Sequence, residues 1–175
     1  MSKINYDLQK IKGLVFDVDG VLSPIVVPLG CDGNPQRMAN VRDGYAIKLA
    51  LKRGLKIAII SGGCGEGLAE RFKILGVKDV YLKAGMKLPL LQSWMQLNGL
   101  TPEEVAYVGD DVPDRDCLDY VGLSVVPADA ADDLIGAVSY IAPVKGGYGV
   151  ARDLIEEVLK AQDKWPTTDW PTNQR

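Results

Sequence analysis

No histidine occurs anywhere in the 175 residues. The side chain that most often moves protons near neutral pH is missing, so acid–base chemistry falls to carboxylates, lysine, tyrosine or cysteine. Cysteine is scarce as well: Cys31, Cys64 and Cys117 are scattered, odd in number and without metal-ligand spacing. That argues against a thiolate metal site or a disulfide framework, and for free thiols in a reducing cytoplasm. Charge of neither sign dominates, and a net charge of −3 gives no reason to expect a nucleic-acid partner. No apolar run is long enough to cross a membrane. Met1 to Lys12 is polar and lacks the apolar core of a signal peptide. Repeats and low-complexity blocks are absent too. What remains is a soluble, cytoplasmic chain the size of one ordinary domain.

The stretch that is most informative runs from Leu14 to Leu22. Leu14 to Phe16 is too short for a helix and reads as a buried strand. Asp17 and Asp19 follow, two residues apart, with Gly20 next. Residues i and i+2 of an extended segment face the same side. Both carboxylates would therefore enter the crevice beyond the strand ends, where open α/β sheets bind ligands. The competing reading is a simple Asx turn closing a strand.

Residues 23–44 hold Pro24, Pro28 and Pro35, an apolar patch (Ile25, Val26, Val27, Leu29) and the turn-like Asp32-Gly33. They read as a β-hairpin projecting from the domain and returning through Met38 to Val41, a candidate interface or flap. Regular alternation follows. Helices are expected over 45–53, 68–75, 88–97, 115–120, 131–135 and 150–162. Strands are expected at 55–60, 79–82, 105–108, 123–126 and 140–141, with a short turn at 101–104 opened by Thr101 and Pro102. Strand–helix alternation implies a single Rossmann-like α/β domain, a parallel sheet with helices on both faces. The domain would span 1–162, followed by a flexible tail over 163–175 that carries Trp165 and Trp170.

Four strand ends then carry polar residues suited to a common chemistry. They are Asp17 and Asp19; Ser61 with Gly62; Lys87, before a helix; and Gly109-Asp110-Asp111 with Asp114. Carboxylates crowded into one crevice would raise one another's pKa, and a divalent cation relieves that. Oxygen ligands without His or Cys favour Mg²⁺ over Zn²⁺. A hydroxyl (Ser61) and an ammonium (Lys87) beside the metal suit the oxygens of a phosphate.

This four-part pattern resembles the haloacid dehalogenase superfamily of phosphotransferases. The resemblance implies that Asp17 is the nucleophile, forming an aspartyl-phosphate, and Asp19 the general acid and base. It implies Mg²⁺ on the Asp17 carboxylate, the Asp19 backbone carbonyl and Asp110, with Ser61, Gly62 and Lys87 at the phosphate. Asp111 and Asp114 would hold metal waters or orient Lys87, although Asp111 reads equally well as a turn-capping residue. Residues 23–44, and the helix and strand between Ser61 and Lys87, are too short for a cap domain, so the chain is expected to be capless.

The hairpin, Asn40-Val41-Arg42-Asp43-Gly44-Tyr45, Val105 to Asp111, Val121-Gly122-Leu123 with Pro127 to Ala130, and Gly146 to Asp153 together resemble the 3-deoxy-D-manno-octulosonate 8-phosphate phosphatases. That resemblance implies a phosphorylated 2-keto-3-deoxy sugar acid as substrate, a place in lipopolysaccharide biosynthesis, and a homotetramer packed through its hairpins. Arg42, Arg152, Gly146 and Gly147 become candidate substrate contacts. Gly146–Gly149 also reads as a plain flexible loop, and Arg152 as a helix pair or cap. One departure stands out: where the family commonly carries a long basic residue after the Ser-Gly, this chain has Gly63-Cys64-Gly65. Two alternatives remain open, a phosphatase for a sialic-type 9-phosphate and a non-catalytic sugar-phosphate-binding homologue. Without a histidine base, Cys64 is not expected to be a nucleophile.

Overall fold

The structure is a computed structural model, and it describes residues 2–166. Six parallel strands form one sheet in the order β3-β2-β1-β4-β5-β6: β1 Gly13–Phe16, β2 Lys56–Ile60, β3 Asp79–Tyr81, β4 Val105–Val108, β5 Leu123–Val126 and β6 Tyr140–Ile141. The helices are α1 Val41–Lys52, α2 Glu66–Leu75, α3 Lys87–Asn98, α4 Arg115–Tyr120, α5 Asp132–Ile135 and α6 Val150–Ala161. No cap domain interrupts them among the described residues.

Alternation along the strands divides the core. Leu14 and Phe16 of β1 face one layer, with Ile57, Ile59, Ala106, Val108, Leu123 and Val125, against α1, α2 and α6. Val15 faces the other, with Ala58, Ile60, Val105, Tyr107 and Val126, against α3, α4 and α5. Both faces are covered, so the central strands β1 and β4 are buried and apolar along their length, as in parallel sheets packed on both sides. Trp94 of α3 is fully buried and its indole N–H donates to Asp79 Oδ2 at 3.0 Å. The polar N-terminus contributes more than its composition suggests. Ile4, Leu8 and Ile11 enter the first layer, and Gln162 Nε2 donates to the carbonyls of Leu8 and Ile11.

The expected elements all form, with two departures. α1 starts at Val41, four residues before the expected Tyr45, because Asn40 Oδ1 accepts from the backbone N–H groups of Arg42 and Asp43 and caps the helix. Gly44 therefore lies inside the helix, where a Cβ would come within 2.6 Å of Arg71 Nη2. The projecting segment is a hairpin only at its tip. One antiparallel bridge joins Leu29 and Pro35, flanked by Gly30 N to Asn34 O and Gln36 N to Pro28 O, with Gly33 at φ +77° in the turn. Pro24, Pro28 and Pro35 have no N–H to extend the ladder. The tail turns back at once: Trp165 packs edge-on to Tyr45 and on the Arg152 guanidinium. Of the tail expected over 163–175, residues 167–175, with Trp170, lie outside the described residues.

Candidate active site

Chain order reverses between β1 and β4, which lie side by side in the middle of the sheet. At such a switch point the flanking loops diverge and leave a crevice beyond the strand ends. Asp17 follows β1, its backbone N–H donating to Val108 O at 3.0 Å, and Asp110 follows β4 by two residues.

Asp17 is buried. Its Oδ1 accepts from the Val18 backbone N–H at 2.6 Å and its Oδ2 from Lys87 Nζ at 2.7 Å. Lys87, the first residue of α3, also donates to Asp114 Oδ1 at 2.8 Å. Asp114 is the hub beneath the site: Oδ1 also accepts from the Tyr107 hydroxyl at 2.6 Å, and Oδ2 from the Asp110 backbone N–H at 3.1 Å. Gly109 is required for this fit, since a Cβ there would lie 2.4 Å from Asp114 Cβ. Gly20, at φ +78°, plays the same part for Asp110, whose Oδ2 would be 1.8 Å from a Cβ.

One carboxylate oxygen each from Asp17, Asp110 and Asp114 lie within 4.8 Å of one another. Among the described residues, Lys87 is the only cation that bonds to any of the three. Burial, and then the charge of Asp114, push Asp17 up to about 6, with Lys87 offsetting only part of it. Burial, followed by the charges of Asp114, Asp17 and Asp111, pushes Asp110 up to about 7. Burial works to lower the Lys87 pKa, but Asp114 and Asp17 more than reverse that and the net shift is upward. The Asp110 carboxylate accepts no hydrogen bond among the described residues. Partnerless oxygens beside Asp17, in an oxygen-only cluster short of positive charge, fit a hard divalent cation.

The expected residues therefore divide. Asp17, Lys87, Asp110 and Asp114 meet. The Asp19 side chain stands outside the cluster: both its oxygens accept from Arg37, Oδ1 from Nε at 2.7 Å and Oδ2 from Nη2 at 2.8 Å. Ser61 is buried at the end of β2, its Oγ accepting from the Gly63 N–H at 3.2 Å, and Gly62 beside it is exposed. Asp111 is exposed and caps the short turn Val112–Asp114 by accepting from the Val112 N–H, which is the turn-capping alternative.

Four candidate substrate contacts lie elsewhere. Arg42 and Arg152 line a shallow depression of about 370 Å³ with Val41, Tyr45, Trp165 and Pro166, away from the carboxylates. Arg152 stacks over Trp165, 4.5 Å from the ring centroid, and its Nε donates to Glu156. Gly146 and Gly147 support the turn after Asp19: a Cβ on Gly146 would lie 1.9 Å from Gly20 O, and Gly147 N donates to Val21 O at 2.8 Å.

Three residues beyond the expected set stand out: Arg37, which holds Asp19, Tyr107, which donates to Asp114, and the buried Asp43 under Arg152. Tyr107 sits two residues before Gly109 on the same strand, which was a usable signal. Asp43 is 2 % exposed, accepts from the Arg152 N–H through Oδ1, and leaves Oδ2 without a partner; burial pushes it up to about 6.

No protein-family model matches the chain. It is 38 % identical over 156 residues to the 3-deoxy-D-manno-octulosonate 8-phosphate phosphatase KdsC of Escherichia coli (strain K12), covering 89 % of this chain and 83 % of that one. The crystal structure of 3-deoxy-D-manno-octulosonate 8-phosphate phosphatase from Yersinia pestis is similar with a TM-score of 0.86 at 36 % identity, covering 90 % of this chain and 85 % of that one. The corresponding phosphatase of Moraxella catarrhalis, in complex with a magnesium ion, a phosphate ion and a KDO molecule, gives a TM-score of 0.85 at 28 % identity, covering 90 % of each chain.

Proposed function

This chain belongs to the 3-deoxy-D-manno-octulosonate 8-phosphate phosphatase family of the haloacid dehalogenase superfamily, and on that premise we propose that it hydrolyses that sugar acid phosphate with Mg²⁺ as cofactor. The observation that carries the reading is the junction of Asp17, Asp110, Asp114 and Lys87 at the β1/β4 switch point. A binding protein has no use for a buried nucleophile paired with an ammonium.

Asp17 attacks phosphorus, forming an acyl-phosphate as the sugar O–P bond breaks, and Asp19 gives its proton to the leaving oxygen. Asp19 then takes a proton from the water that cleaves the acyl-phosphate. Ser61 and Lys87 hold phosphoryl oxygens, and Asp114 orients Lys87. Asp17 and Asp110, with the Asp19 carbonyl, would hold Mg²⁺, which when bound neutralises charge and polarises the phosphoryl group.

The hairpin exposes Ile25, Val26, Leu29 and Met38, Val26 being 86 % exposed, which supports a homotetramer packed through that segment. Free thiols at Cys31, Cys64 and Cys117 support a reducing, cytoplasmic setting. No helix among the described residues is long and apolar enough to cross a membrane.

The test is phosphate release from 3-deoxy-D-manno-octulosonate 8-phosphate, a nine-carbon sugar acid 9-phosphate and hexose phosphates. Preference for the eight-carbon acid supports the reading. Preference for the nine-carbon acid would move the substrate to the sialic type, and no turnover of any would overturn the enzymatic reading.

A further inference from the structure

The Arg37 guanidinium sits on the Asp19 carboxylate, between the end of the hairpin and the loop after β2. Its Nε and Nη2 hold both oxygens of Asp19, and its Nη1 donates to the Cys64 carbonyl at 3.0 Å. Gly63 makes the room: a Cβ at that position would lie 2.3 Å from Arg37 Nη2, 2.9 Å from Cζ and 3.0 Å from Asp19 Oδ2. With one N–H of the fork on each oxygen, the Asp19 carboxylate is held toward Arg37. A fork of this kind binds any carboxylate equally well.

We propose that Arg37 couples substrate recognition to catalysis: at rest it masks Asp19, and the carboxylate of a bound sugar acid takes the guanidinium and releases Asp19 toward the leaving oxygen. The inference rests on the sugar-acid reading above. Exchange is easy on two grounds. The incoming carboxylate offers the guanidinium the same two-oxygen fork that Asp19 does, so the exchange trades like for like. The released Asp19 side chain, already 46 % exposed, can turn to solvent while Arg37 stays 12 % exposed. Arg37 also lines a cavity of about 490 Å³ between the hairpin, α1 and α2, where it can swing without displacing the core. Arg37 is thus a specificity-determining residue in the position that Gly63 leaves empty, supplied from the hairpin.

The experiment compares 3-deoxy-D-manno-octulosonate 8-phosphate with mannose 6-phosphate, which has an alkyl leaving oxygen and no carboxylate. In Arg37→Ala, kcat/KM for the acid is expected to fall about 10- to 100-fold, mainly through KM, the worth of a charged bidentate contact. For mannose 6-phosphate kcat is expected to rise, because Asp19 is unmasked without a carboxylate to do it. Arg37→Lys, which keeps the charge but loses the fork, is expected to fall between. Gly63→Ala, which leaves Arg37 intact but crowds its guanidinium off Asp19, is expected to raise kcat on mannose 6-phosphate as well. Equal loss on both substrates in Arg37→Ala, or an unchanged KM for the acid, would overturn the inference and leave the phosphatase reading standing. A wild-type enzyme that hydrolyses mannose 6-phosphate but not the acid would overturn the substrate reading and the inference together.

Discussion

Lys87 Nζ lies 2.7 Å from Asp17 Oδ2 and holds Asp114 at 2.8 Å with the same ammonium. One buried cation thus holds the proposed nucleophile, Asp17, and ties it to the hub that fixes Asp110. Lys87→Ala leaves those carboxylates buried without a counter-charge, a loss of about 3–5 kcal/mol when one partner of a buried pair is removed. A lower melting temperature and a fall in phosphate release of at least about 100-fold are expected, the order of one lost electrostatic stabiliser. Thermal melts with turnover check both.

The metal-free protein should lose stability as pH rises. Asp17 and Asp110 are raised from an ordinary 3.8 to about 6 and about 7, so between those values the folded state binds more protons than the unfolded one. Their stabilising contribution is complete below about 4 and disappears as pH passes upward through 6 and 7. Melting temperature in chelator is therefore expected to fall between about pH 4 and pH 7 beyond what other groups cause. Added Mg²⁺ should restore it most at the alkaline end, by about 2.7 kcal/mol at roughly 100 times its Kd. A Mg²⁺ effect independent of pH would contradict this.

Asp43 has the same sign of shift and no metal to relieve it. Its Oδ2 is buried without a partner, and burial raises it to about 6. Asp43→Asn keeps the Oδ1 acceptor for the Arg152 N–H and removes the charge. Relative to wild type, the variant should gain stability from pH 5 to pH 8, with or without Mg²⁺, read as the difference between two melting curves.

Why the catalytic groups were legible and the hairpin's part was not comes down to range. Asp17, Asp110 and Lys87 each follow or open an element whose period is written locally, so reading strand ends in order was enough to gather them. The four-residue shift of α1 came from Gly44, which reads as a hairpin end until Asn40 is seen to cap. Arg37 meets Asp19 across 18 residues of Pro-rich chain, and no local period announces that pairing. Arg152 and Arg42 have sequence neighbours in loops near the crevice, while their own helices place both beside Trp165. The glycines at 146 and 147 signalled close approach correctly but not to what.

The hairpin reading has its own test. Ile25, Val26, Leu29 and Met38 are all exposed apolar side chains on the projecting segment. Val26→Glu, at a position 86 % exposed, should leave the monomer's fold intact and yield smaller oligomers with reduced turnover. Sedimentation velocity decides: an unchanged large assembly would place the interface elsewhere.

In the proposed reaction Asp17 forms a covalent phosphoenzyme. Asp17→Asn removes the nucleophilic charge while keeping size, and since burial already disfavours that charge the variant should fold. The most direct measurement is phosphate release from 3-deoxy-D-manno-octulosonate 8-phosphate by wild type and Asp17→Asn, each with Mg²⁺ and with chelator. The expected result is release by wild type with Mg²⁺ alone, and none by the folded variant under either condition. Substantial turnover by Asp17→Asn would contradict the aspartyl-phosphate mechanism and the assignment of the β1/β4 crevice as the active site.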